Sequence, residues 1–161
     1  MMFIARARKS FKVFLAINMS TQNAREQAVA VLMNFMKEMN CWENDFFERR
    51  QEGLGRGVDD PELRKKYGEK LESILDVFAV KDKSNYGRLI GLGCTRPATY
   101  DPANDEVVAL EGSTKEQVFK VQQLAGVETC SKLHLVVRDG QWKIKKKDVM
   151  DFNDKWRRSP L

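Results

Sequence analysis

From Asn23 onward, apolar side chains recur at gaps of three and four: Ala28, Leu32, Phe35, Met36, Met39, Trp42 and Phe46. That spacing predicts one long amphipathic helix whose stripe faces a core. Asn23 with Glu26 three positions on reads as a capping box, so the helix is expected to start there. Lys37, Glu38, Glu43, Asp45 and Glu48 fall beside the stripe or at its edges and are expected to be solvated. Gly53-Leu54-Gly55-Arg56-Gly57 then reads as a hinge or turn. It lacks the Lys-Ser/Thr pair of a phosphate-cradling loop. A second helix opens with Asp60 as cap, Pro61 at the first helical position and Glu62 at the positive end of the dipole. Its stripe is Leu63, Tyr67, Leu71, Ile74, Leu75 and Phe78, ending near Val80, and Gly68 within it suggests close packing against the first helix.

After Asp82 the rhythm shortens. Runs at 88–92, 98–100, 106–111, 117–124, 132–138 and 141–146 alternate with turn residues, and each is expected to be a strand. The segment 148–158, with Val149, Phe152 and Trp156, reads as either a short helix or an ordered tail. Helices followed by successive strands predict an α+β domain with an antiparallel sheet.

The sharpest local signal is Asp139-Gly140 between two alternating runs, a two-residue type I′ hairpin. Its register would pair Arg138 with Gln141, Val137 with Trp142, Leu135 with Ile144 and His134 with Lys145. Leu133, Leu135, Val137, Trp142 and Ile144 then share the face turned to the helices. His134, Val136, Arg138, Lys143 and Lys145 share the solvent face. His134 is the only histidine, and this register removes it from the interior, among cations that disfavour its protonation. The lysine strip Arg138, Lys143, Lys145 and Lys147 reads as an outward face, without aromatic residues to stack bases.

Composition narrows the function classes. The chain has 161 residues, 42% hydrophobic and 32% charged, enough for one domain to close a core without disulfides or metal. Its net charge of +5 is concentrated in a leader, residues 1–19: Arg6, Arg8, Lys9 and Lys12 precede Met19 with no acid, leaving the remainder at +1. The leader is too short in its apolar part for a signal peptide. It is expected to be a start-site artefact with Met19 as initiator; a membrane-surface segment ranks lower. A single domain is expected over 20–161. No apolar run reaches membrane-spanning length. Cys41, Cys94 and Cys130 are odd in number, widely spaced and far from zinc-ligand patterns. They are expected to be buried free thiols in a cytoplasmic protein, with no metal and no cofactor.

Long helix, second helix and an antiparallel sheet ending in Asp139-Gly-Gln-Trp-Lys-Ile144 resemble the nuclear transport factor 2-like superfamily, a curved sheet wrapped around helices into a cone. Met36-Lys-Glu-Met-Asn-Cys-Trp-Glu43, Asp60-Pro-Glu-Leu-Arg-Lys-Lys-Tyr67, Arg96-Pro-Ala-Thr-Tyr-Asp-Pro102 and the ending Lys155-Trp-Arg-Arg-Ser-Pro-Leu161 further resemble the bacterial immunity proteins of that fold, which accompany polymorphic toxins. The resemblance covers about residues 20–161. It implies a non-catalytic protein that binds and neutralises a cognate toxin domain. A homodimer stays open, since sheet faces in the superfamily often pair, while a membrane or nucleic-acid partner is not expected.

No catalytic residue is assigned. Partner contacts are expected among exposed positions beside the helical stripe and at the opening of the sheet: Glu43, Arg49, Arg50, Arg88, Arg96 and Tyr100. The alternative is an isomerase or dehydratase with an interior pocket. It would draw on Asp82, Asp101, Asp105 or Glu106, each in or beside a turn, with Tyr67 or Tyr86 as phenol. A phosphate-backbone binder using the lysine strip ranks third.

Overall fold

The computed structural model describes the backbone of residues 2–55 and 60–161, and side chains from Asn18 onward. Among the described residues three helices, α1 (Met2–Gly55), α2 (Pro61–Phe78) and α3 (Arg88–Gly91), precede five strands. The strands are β1 (Glu106–Gly112), β2 (Glu116–Gln122), β3 (Cys130–Arg138), β4 (Gln141–Met150) and β5 (Trp156–Ser159). They form one antiparallel sheet in sequential order, each pairing with its neighbour in the chain.

The α1 stripe is buried from Ala28 to Phe46 as its spacing requires. Asn23, however, is not a cap. It lies inside a helix of 54 residues, because no Gly or Pro interrupts the chain between Met2 and Gly53 and a capping box cannot end a helix already propagating through it. The side chains of residues 1–17, together with Arg56 and Gly57 of the expected hinge, lie outside the described residues. At α2 the Asp60 carboxylate accepts the N–H of Glu62 at 3.0 Å and of Leu63 at 3.3 Å. Tyr67, Leu71 and Leu75 are buried. Gly68 does not mark tight packing on α1: a Cβ there would meet only Leu92, at an ordinary 3.9 Å.

Two expected strands are absent. Residues 88–92 include α3, because the Asp82 carboxylate caps Ser84 and Asn85 and starts a run of tight turns that continues into it. Leu92 then stops α3 in the left-handed region at φ 44°. Residues 98–100 are a loop held by side chains rather than by a ladder. Conversely, 148–158 is strand, turn and strand: β4 runs on to Met150, and β5 pairs back on it across a turn capped by the Asp151 side chain.

The last hairpin turns at Asp139 (φ 49°) and Gly140 (φ 73°), the positive pair of a type I′ turn. Arg138 faces Gln141, Val137 faces Trp142 and Leu135 faces Ile144 as expected. Beyond that a bulge intervenes, and His134 faces Lys146 rather than Lys145. The extra residue reverses the parity of the rest of β4. Lys147 therefore leaves the expected outward strip and lies inside, opposite Leu133, with its ammonium 4.7 Å from the Tyr100 ring centre.

The inner face of the sheet (Phe119, Val121, Leu133, Leu135 and Ile144) meets Phe35, Met36 and Met39 of α1 and Leu71 and Leu75 of α2 in one core. Each such enclosed side chain contributes about 1.5–3 kcal/mol. Val136, on the opposite face, is buried as well, so that face is not uniformly solvated. The cysteines are free, but Cys41 is exposed and Cys94 and Cys130 are half-buried, not core thiols.

Candidate functional site

Glu43 occupies the α1 stripe between Met39 and Phe46 and is fully buried, against the expectation of a solvated carboxylate. One oxygen accepts the Thr95 N–H (2.9 Å) and the hydroxyls of Thr95 and Thr99 (3.1 Å each). The other accepts the Thr99 N–H at 2.8 Å. Arg88 closes the cluster as ion-pair partner, its guanidinium 5.0 Å from the Trp42 ring centre and donating to the Gly93 carbonyl. A buried carboxylate is tolerable only with such full pairing. Its effect is mechanical: the loop containing the cis Arg96–Pro97 bond is clamped to α1.

The six expected contact residues therefore divide. Glu43 and Tyr100 are buried, and Arg88 keeps only 11% of its side chain exposed, so these three are not surface positions. Tyr100 stacks edge-on against Phe35 at 5.2 Å, while its carbonyl accepts from Asn40 at 2.7 Å. Arg96 is exposed over Phe47 and bonded to Glu48 at 3.0 Å. Arg49 is exposed between Asp45 and Glu52, and Arg50 is half-buried beside Leu54 and Leu63. Sequence reasoning missed Asn40, Thr95 and Thr99. The signal for Asn40 and Glu43 was present: both fall four residues after stripe members, Met36 and Met39.

His134 lies on the face of the sheet away from the helices, as expected. Its Nε2 is 3.2 Å from the Asp148 carboxylate without a formed hydrogen bond, and Lys146 reaches the same oxygen at 2.7 Å. Burial, then the Lys146 charge, hold the imidazole below its ordinary pKa against the pull of Asp148. The adjoining depression, about 410 Å³, is lined by Glu111, Ser113, Glu116 and Val118. The Ser113 hydroxyl there is already engaged by the N–H groups of Lys115 and Glu116. A second hollow, about 490 Å³, lies along α1 and α2 beside Cys41, Trp42 and Tyr67. The Tyr67 hydroxyl donates to Asp45, and burial together with that carboxylate pushes the phenol up to about 12. Among the described residues no group of His, Cys, Asp and Glu is placed to hold a metal ion. No helix among them is long and apolar enough to cross a membrane.

Helices on one face of a sequential antiparallel sheet, with one apolar core between them, define an α+β fold of the NTF2-like kind. The chain belongs to the family described as NTF2 fold immunity protein, whose profile matches residues 27–160. It is 31% identical over 132 residues to the immunity protein RhsIA of Dickeya dadantii (strain 3937), covering 81% of this chain and 93% of that protein. No solved structure matches the chain significantly. Its function is that of the family, toxin neutralisation, and the isomerase or dehydratase alternative finds no support.

Proposed function

We propose that the chain neutralises its toxin by stoichiometric binding in the cytoplasm, without catalysis, and that this toxin is of the Rhs type named in its relative, the immunity protein RhsIA. The carrying observation is the filled interior. Phe35, Met36, Met39, Leu133 and Leu135 are fully buried in one apolar core between helices and sheet, and the sole imidazole is on the opposite face. Binding energy would come from a few anchors in a standard-sized interface, with charge setting partner choice.

A titration separates binding from catalysis. Purified toxin domain mixed with rising amounts of this protein should lose activity linearly and reach zero at one equivalent, with a 1:1 complex on gel filtration. Complete loss at a small fraction of an equivalent would mean turnover and would overturn the proposal. Co-expressed cells should survive the toxin domain only when this chain is present.

A further inference from the structure

The two ends of the sheet carry different tips. At one end the connections are Ser113-Thr114-Lys115 and Asp139-Gly140, with no apolar side chain. At the other end they are residues 123–129, between β2 and β3, and 151–155, between β4 and β5. These carry Leu124, Val127 and Phe152, exposed to 50%, 88% and 97%. The strand order sets the two hairpins side by side. The fold does not require apolar tips, since the opposite end closes with polar ones.

The tips are also held rigidly. The Asp151 carboxylate accepts the N–H groups of Asn153 (2.9 Å) and Lys155 (3.0 Å) and the Arg157 Nε (2.8 Å). Gln123 accepts the Thr129 N–H at 3.3 Å and donates to the Ala98 carbonyl at 3.3 Å, tying this tip to the loop that Glu43 clamps. A backbone held so firmly loses little freedom on binding. Three positions behind the β2–β3 tip, Lys120 sits directly opposite Lys132, an arrangement that weakens a sheet. Among the described residues neither forms an ion pair, although Asp148, engaged by Lys146, faces Lys132 on β4; Lys132 lies over the Trp156 ring at 4.2 Å. With a ring face already covered by an ammonium group, the patch suits a folded acidic surface better than stacked bases.

We propose that this end of the sheet is the toxin-docking surface. Phe152, Val127 and Leu124 enter an apolar depression on the toxin domain, and Lys120 and Lys132 meet carboxylates at its rim. The inference rests on the immunity reading and adds to it the place and chemistry of contact.

The test uses the full chain and, as probe, its cognate toxin domain, co-expressed with it, separated from the complex and re-bound. Phe152→Asp should weaken binding about a hundredfold. Lys120→Glu should weaken it about tenfold, chiefly through slower association and a flatter salt dependence. Ile90→Asp, at a residue on α3 that is 85% exposed, should bind like the parent. Because these side chains are at the surface, thermal melting should stay unchanged, or rise for Lys120→Glu. If the parent binds and both patch variants bind equally well, the surface is misplaced while the immunity reading stands. If the parent neither binds nor protects, both fall. If Phe152→Asp instead dissolves a homodimer in light scattering, or releases the chain from phosphatidylglycerol vesicles, with toxin binding intact, the patch serves another occupant and the proposal is wrong.

Discussion

The Glu43 carboxylate and the Arg88 guanidinium form an ion pair in which the first is fully buried and the second almost so. They come from α1 and α3, forty-five positions apart, and together fasten the loop at 95–99 to the long helix. Removing one partner strands the other in a low-dielectric setting. Glu43→Ala should therefore cost about 3–5 kcal/mol in urea unfolding. Thr95→Val, which removes one donor, should cost about 1 kcal/mol. A Glu43→Ala protein as stable as the parent would show that the clamp contributes nothing to the fold.

The opposite outcome is expected at Tyr100. Its hydroxyl is enclosed and has no hydrogen-bond partner, a state that costs about 1–3 kcal/mol relative to water. Tyr100→Phe keeps the ring beside Phe35 and under Lys147 and removes only the orphaned group. Its unfolding midpoint should move to higher denaturant with the slope unchanged. A lower midpoint would mean that the hydroxyl has a partner in solution.

His134 supplies a pH dependence with a defined sign. Burial and the neighbouring Lys146 set its folded pKa below the ordinary 6.5. As pH falls below that value the unfolded chain takes up a proton that the native state still refuses. Stability should consequently decline from neutral pH downward and level off, for this group, once the folded pKa is passed. The imidazole proton resonances should titrate with a midpoint under 6.5, and His134→Gln should flatten the decline. A midpoint above 6.5 would mean that Asp148 outweighs burial.

How much of this was legible beforehand depended on whether the controlling contact was local. The Asp60-Pro61 start of α2 and the Asp139-Gly140 turn are decided by neighbours in sequence, and both stand as read. Glu43 was legible in principle, since helical arithmetic puts it on the buried stripe, but its acceptability inside depends on Thr95, Thr99 and Arg88, which no local pattern announces. The bulge before Lys146 was not legible: alternation in 141–147 reads smoothly, and the inserted residue shows only when β3 is laid beside β4. The exposed contacts expected at Glu43 and Tyr100 failed for the same reason, because their covering comes from distant segments.

The serial strand order has a kinetic corollary. Each strand pairs with its neighbour in the chain across a connection of two to seven residues, so each hairpin can close as soon as its second strand leaves the ribosome. The docking of α1 and α2 on the sheet, and the ties from residues 79–85 to β4 and to the segment 158–161, span the larger sequence distances. Such a chain should assemble fast, and speed of assembly matters for an antidote that has to be standing before the poison it answers.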